Sequence, residues 1–233
     1  MVIPCIDMKI ILIGAGNLAT QLAVALQKKG MTPAYIYSRT RESAEQLSER
    51  LRDVPYSTDI SRVPTDGDLY IFAVKDSALL DLVSRMPSNR GLWVHTAGSM
   101  DMEVFAPYTA RYGVFYPMQT FSKERETDFD DIPIFVETNH TDDTERLQKL
   151  AGRLSTKVYE ATSEQRKYLH LAAVFACNFS NHLYALCDRI LSEHGLPFET
   201  MLPLIRETAA KVADMPPAQA QTGPAIRYDK NVI

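Results

Sequence analysis

The sequence is short of the features that mark several protein classes. Its three cysteines, Cys5, Cys177 and Cys187, are an odd number with no CxxC pair. Neither a disulfide framework nor a zinc-ligand pattern is present, so no metal site is expected, and this usage suits a reducing cytoplasm. Cys177 and Cys187 fall in an apolar helical stretch and read as buried thiols. No basic run is long enough to suggest a nucleic-acid partner, and the net charge is −4. No apolar run approaches the roughly 20 residues of a membrane helix. Asp7 and Lys9 interrupt the N-terminus before a very short apolar run, so it does not read as a secretion signal. Met8 directly precedes the first strand, and residues 1–7 read as a dispensable extension or an upstream start. What is present is ordinary globular composition: 233 residues, 45% hydrophobic and 23% charged. That is enough chain for one large domain or two modest ones.

The chain is organised around Lys9-Ile10-Ile11-Leu12-Ile13-Gly14-Ala15-Gly16-Asn17-Leu18-Ala19. Four aliphatic residues in a row predict a strand buried on both faces, as in a parallel sheet. Gly14 and Gly16 then break it. Asn17 can cap a helix, and Leu18, Leu22 and Leu26 recur behind it at helical spacing. Gly14 allows the tight turn, and Gly16 lets a pyrophosphate approach bare backbone. The helix start offers free N–H groups to that anion. Ala19 takes the third small position of this dinucleotide-binding pattern.

The second strand, Ala34-Tyr35-Ile36-Tyr37, ends in Ser38-Arg39-Thr40-Arg41, about 25 residues after Gly14, where an NAD site places an acid for the ribose hydroxyls. No acid is present. Ser38, Arg39 and Thr40 suit a 2′-phosphate, with Arg39 able to pair bidentately. This favours NADP(H) over NAD(H), although Thr40 also fits a plain helix cap. Further strands are expected at 54–56, 69–74, 91–95, 112–116, 132–136 and 157–159. The proline in 132–136 favours an edge position. Their carboxyl ends should carry the ligand site. Val74 and Lys75 lie at one such end, Lys75 as a cofactor or substrate contact or as a loop lysine. His95, Gly98 and Ser99 lie at the next, beside the expected nicotinamide, with Ser99 toward the substrate and His95 either in the site or structural. Residues 122–131 read as a charged surface loop.

After about residue 160 the strands stop. Thr162-Ser163-Glu164-Gln165 is a capping box, followed by a long helix to about His194 with Phe175, Phe179, Leu183, Leu186 and Ile190 as its apolar stripe. Another helix is expected at 198–213, then a loop from Met215 through Asp229. The chain stops at Ile233 without an evident closing helix, and reads as truncated or as borrowing support from a partner subunit.

Together these residues resemble a known superfamily. Gly14-Ala15-Gly16-Asn17-Leu18-Ala19, Ser38-Arg39-Thr40 and Ala73-Val74-Lys75-Asp76 look like the NADP-binding half of pyrroline-5-carboxylate reductases and F420-dependent NADP oxidoreductases. Tyr116-Pro117-Met118 is similar to a strand end in prephenate dehydrogenases. All belong to the 6-phosphogluconate dehydrogenase-like group. Asn178 within His170–Phe179, together with Thr222-Gly223-Pro224-Ala225-Ile226-Arg227, resembles a narrower bacterial family of NADP oxidoreductases. That family has a Rossmann-like domain and a C-terminal helical domain of unknown function, and the likeness covers nearly the whole chain. The related β-hydroxyacid dehydrogenases place a catalytic lysine and an asparagine four residues apart on the first long helix. Here His170 stands at the first position and Val174 four residues on, while Asn178 is about 12 Å along the axis. Lys167, one turn before His170, is an alternative.

The expected architecture is a doubly wound, mostly parallel α/β Rossmann domain at 1–160, followed by a smaller all-α domain at 161–233 for substrate and dimerisation. The expected function is NADPH-dependent reduction of a small C=O or C=N compound. His170 serves there as proton donor or as a packed interface histidine, and Arg227 holds a substrate carboxylate or pairs with Asp229. The alternative is a sensor or scaffold that binds NADP(H) without turnover. A homodimer through residues of about 163–213 is expected, with His170 and His95 bordering one pocket that has Gly14 and Gly16 at its far end.

Overall fold

The computed structural model describes residues 8–223. The strands are β1 (Ile10–Ile13), β2 (Tyr35–Tyr37), β3 (Tyr56–Ser57), β4 (Leu69–Phe72), β5 (Leu92–His95), β6 (Tyr112–Pro117), β7 (Ile134–Thr138) and β8 (Val158–Glu160). They form one sheet in the order β3-β2-β1-β4-β5-β6-β7-β8. Every neighbouring pair is parallel except β6 and β7.

The apolar run of β1 is explained by its central position. Ile10 and Leu12 face one layer, with α1 (Asn17–Lys28), α2 (Arg41–Arg50) and α4 (Thr141–Leu154). Ile11 and Ile13 face the other, with α3 (Asp76–Arg85) and the 3-10 turn Met102–Phe105. Successive side chains of a strand point to opposite faces, so a strand covered on both sides needs apolar residues throughout. The second layer is aromatic, with Phe72 packed between Trp93 and Phe105 at ring distances of 5.4 and 5.1 Å. Trp93 keeps its indole N–H satisfied by donating to Asn89 Oδ1 at 2.9 Å.

From β1 the chain winds outward to β2 and β3, then returns to place β4 on the other side of β1. The crevice at the carboxyl ends of β1 and β4 is the switch point of the sheet.

Three expectations are corrected. β7 is an interior strand between β6 and β8, because Pro133 precedes the ladder instead of entering it; its carbonyl accepts from Met118 N at 2.9 Å. Asn17 does not cap α1. The cap position is Gly16, and the Asn17 side chain donates instead to Phe121 O at 3.0 Å. A short helix, Pro217–Ala220, stands where a loop was expected. Proline at its first position is pre-organised for a helix start.

Contacts divide the chain into two units, ending and beginning at Ala173 and Val174. The first includes α5 (Ser163–Ala173), which opens with the anticipated capping box: Gln165 N donates to Thr162 Oγ1, and Thr162 N to Gln165 Oε1. The second opens with one π-helical stretch, Val174–Phe179, then α6 (Ser180–Glu193) and α7 (Leu202–Asp214). No residue from 174 to 223 is buried. Cys177 and Cys187 are accordingly half-buried free thiols, not core residues. Among the described residues no helix is long and apolar enough to cross a membrane.

Candidate active site

The end of β1 is built for close approach. Gly14 has φ +125°, and a Cβ there would lie 2.2 Å from Ala73 O, so no other residue fits between β1 and β4. Its N–H is held by Tyr37 O at 2.7 Å. Gly16 differs: a Cβ there would meet nothing within 4 Å. The space above it is open, and no side chain caps the start of α1. The glycine turn therefore presents bare backbone, with Ala15 buried behind it and Leu18 half-buried beside it. This is the cradle an anionic pyrophosphate requires.

At the end of β2, Ser38 is buried, its N–H donating to Ser57 O, while Arg39 and Thr40 are exposed. Thr40 occupies the cap position of α2 without making a side-chain cap bond. Arg39 forms no ion pair among the described residues. The group offers a free guanidinium and a free hydroxyl beside a helix start, which suits a phosphate.

At the end of β4, Val74 is half-buried and Lys75 exposed at the cap of α3. Asp76 follows, and its carboxylate accepts from Ser99 Oγ at 2.6 Å. Ser99 thus ties the loop after β5 to the loop after β4.

His95 is not in contact with open space. It is 1% exposed, its Nδ1 accepts from Ala97 N, and its Nε2 lies 3.3 Å from Asp101 O. Burial, with the Arg166 charge assisting, lowers its pKa to about 4. His95 is therefore a neutral fastener of the turn that follows it, and the expectation that it borders the pocket is set aside. The linkage has a definite sign. The unfolded histidine titrates near 6.5 and the folded one near 4, so the unfolded chain binds the extra proton between them. Stability should fall as pH drops from about 6.5 to about 4, by about 3 kcal/mol from this residue. Urea titrations at pH 7 and pH 4 should show a His95→Asn variant losing less stability than the parent by that amount.

His170 meets the site from α5. A Cβ at Gly98 would lie 2.6 Å from His170 Nδ1 and 2.9 Å from Tyr116 Cζ, so this turn passes against both rings only as glycine. Tyr116, next to last in β6, places its hydroxyl 3.3 Å from His170 Nδ1. Burial raises the pKa of the Tyr116 hydroxyl, opposed by the charge of Arg166 and reinforced by Asp76. Tyr116 accordingly holds its proton at neutral pH.

Arg166, one turn before His170, fastens this arrangement. It is fully buried. Its guanidinium donates to Ala97 O at 3.3 Å, to Glu137 Oε2 at 2.6 Å, to Ser163 Oγ at 3.1 Å and to Met100 O. The two carbonyls lie on either side of Gly98-Ser99, so one residue fixes the whole turn. Glu137 in turn accepts from Ser163 N and Oγ.

The structure thus brings together Gly98, Ser99 and His170 from the sequence-derived set, and adds Tyr116, Arg166, Glu137 and Asp76. Tyr116 carried a readable signal, a polar residue at a strand's carboxyl end; Arg166 carried none. Lys167 is exposed and shares a different cavity with Glu164, Tyr168 and Leu171. Asn178 is exposed in the π-helical stretch of the second unit. Arg227 lies outside the described residues.

A glycine turn and an uncapped helix start at the switch point of a mostly parallel sheet define a dinucleotide-binding α/β protein. Residues 3–118 match the family model described as a Rossmann-like domain, and residues 132–233 match the domain of unknown function DUF2520. A solved structure from Bacteroides fragilis, named a putative NADP oxidoreductase, is 53% identical, with 97% of this chain and 88% of that one covered and a TM-score of 0.90. The chain belongs to this family, which joins a Rossmann-like domain to DUF2520. A reductive aminase from Aspergillus terreus, in complex with NADPH and ethyl levulinate, has 16% identity and a TM-score of 0.71 over 89% of this chain and 74% of that one. A pyrroline-5-carboxylate reductase from Coxiella burnetii has 17% identity and a TM-score of 0.65, over 97% and 85%. These two share the fold. No curated protein matches the sequence.

Proposed function

We propose that this protein is an NADP(H)-dependent oxidoreductase that reduces a small C=O or C=N substrate. The observation that carries the reading is the meeting of His170 and Tyr116 over Gly98, at the carboxyl end of the same sheet that bears the glycine turn. In this reading the backbone from Gly14 to Leu18 receives the pyrophosphate, Ser38, Arg39 and Thr40 receive the 2′-phosphate, and Val74, Lys75 and Gly98 border the nicotinamide. The bound cofactor supplies the hydride. The protein supplies orientation and a proton. With His170 Nδ1 donating to the Tyr116 oxygen, the tyrosine's own O–H is free to point at a substrate oxygen or nitrogen. As Tyr116 gives up its proton, His170 passes it the Nδ1 proton while the His170 Nε2 takes one up from solvent, so the imidazole stays neutral. Ser99, fixed by Asp76, is placed for a polar contact to the substrate.

The cofactor assignment is tested at Arg39. Arg39→Asp removes a phosphate partner and leaves a repelling carboxylate. NADPH affinity should fall at least tenfold, about 1.4 kcal/mol, while NADH binding holds or improves. Calorimetric titration of both decides it; equal loss for both, or none for NADPH, ends the assignment. The substrate class is found by following NADPH oxidation against imines, ketoacids and semialdehydes. No oxidation with any of them, alongside tight NADPH binding, would favour a sensor.

We also propose that residues 161–233 form the substrate and dimerisation region, with a two-fold dimer packed through about 163–213. Apolar side chains along it stand open, among them Tyr168, Phe175, Leu183 and Ile190, 59–67% exposed. Contiguous exposed apolar surface beyond a few hundred Å² marks interfaces. Light scattering at micromolar concentration should give twice the monomer's 26.2 kDa; the monomer mass would count against it.

A further inference from the structure

The segment after β6 reads as a solvated charged loop, yet the structure straps it across the two helices whose starts flank the glycine turn. Asn17 Nδ2 donates to Phe121 O at 3.0 Å. Gln21, fully buried, donates to Ser122 O at 2.7 Å and accepts from Thr127 N at 3.1 Å. Arg50 donates to Lys123 O at 3.0 Å. Both α1 and α2 therefore hold the backbone that presents Lys123. Its side chain reaches the first turn of α2, where Nζ donates to Ser43 Oγ at 3.5 Å. Ser43 lies three residues beyond Thr40, the exposed cap.

Beneath this strap lies a cavity of about 180 Å³, lined by Thr20, Ser43, Arg50, Lys123 and Glu124 among others. Thr20 is 4% exposed, and its Oγ1 lacks a hydrogen-bond partner among the described residues. A buried hydroxyl without a partner costs about 1–3 kcal/mol, so it is a group awaiting one. An unpartnered hydroxyl, a second hydroxyl and an ammonium thus converge behind the start of α2. Glu124 lines the same cavity, where its negative charge is opposed by the cations of Arg50 and Lys123.

We propose that Lys123, held against Ser43 in the first turn of α2, is a specificity-determining residue that adds a second cation beside the 2′-phosphate of NADP(H) received by Arg39 and Thr40. The inference rests on the cofactor reading above. Arg39 and Thr40 stand at the end of β2 and the cap of α2, and Lys123 reaches Ser43 one turn further on. A phosphate met by two cations is discriminated from a ribose hydroxyl more sharply than by one arginine, because each added cation favours the charged group alone. A compact ammonium on a flexible stem suits this role.

The test is calorimetric titration of the full chain with NADPH and with NADH, for the parent, Lys123→Gln and Lys123→Arg. Lys123→Gln should weaken NADPH about tenfold and leave NADH unchanged, and Lys123→Arg should retain most of the NADPH affinity. Equal weakening of both cofactors, or no weakening of NADPH, overturns the proposal. A thermal melt without cofactor accompanies each variant. A large loss of stability in Lys123→Gln with unchanged NADPH affinity would make the lysine a strap fastener only, and also overturns it. Failure of the underlying reading looks different: the parent itself would bind NADPH no more tightly than NADH.

Discussion

Replacing His170 with glutamine is expected to lower turnover by about 10²–10⁴-fold, the range that a positioned proton donor supplies. NADPH affinity should change by no more than about twofold, since the lost interaction acts in the transition state. The geometry extends the expectation to Tyr116→Phe, because the Tyr116 hydroxyl and His170 Nδ1 are 3.3 Å apart and act as one relay in the proposed mechanism. The double variant should then lose little more than either single one, as groups that act as a unit are not additive. Gly98→Ala gives an independent check. The added methyl would fall 2.6 Å from His170 Nδ1 and force the ring away, lowering turnover without removing either donor. Steady-state kinetics on the substrate found by screening measures all four. Additive losses at His170 and Tyr116 would separate them, and full activity in His170→Gln would remove the histidine from the chemistry.

Arg166→Ala is expected to have the largest effect on stability, about 3–5 kcal/mol, as for removing one partner of a buried ion pair. Glu137 would be left with its charge and without its 2.6 Å guanidinium partner, and the Ala97 and Met100 carbonyls would lose their donor. For a chain of this length that corresponds to a fall in melting temperature on the order of 10 °C. Arg166→Lys should recover part of it, because an ammonium can meet Glu137 but cannot also bracket the Gly98-Ser99 turn. An exposed control, Arg39→Ala, should stay within about 0.5 kcal/mol. Thermal and urea unfolding of the three variants measures this, and a loss below 1 kcal/mol in Arg166→Ala would mean the network is not stabilising.

The legible parts of this molecule are those decided locally. A four-residue aliphatic run, two glycines and a leucine repeat announce β1, its turn and α1 within twenty residues. Ser38-Arg39-Thr40 is equally local, a choice of residue types at one strand end. Gln165 and Thr162 reveal their capping box for the same reason. What stayed hidden depends on partners far apart in the chain. Arg166 occupies an ordinary helical position, and only the fold sets it against Glu137, 29 residues earlier. His95 looks like a site residue until the fold shows both ring nitrogens engaged within the turn it begins. Pro133 suggests an edge because a proline cannot donate, yet one position of register leaves it just outside the ladder. Lys123 sits among charges that read as solvated, and its anchorage by Gln21 and Arg50 belongs to the tertiary structure. The π-helical stretch at Val174–Phe179 has no signal of spacing or residue type.

The second unit has secondary structure but no interior. Its two main helices, of 14 and 13 residues, are of a length at which an isolated helix is marginal in water. Among the described residues none of their side chains is fully buried. In the proposed dimer the partner subunit that covers them sets their population by mass action, so the stability of this half becomes a function of concentration while that of the sheet does not. Dilution then acts as a denaturant confined to one part of the molecule. Melting should resolve into an early transition that moves with protein concentration and a later one that does not, and a single reported midpoint would describe neither.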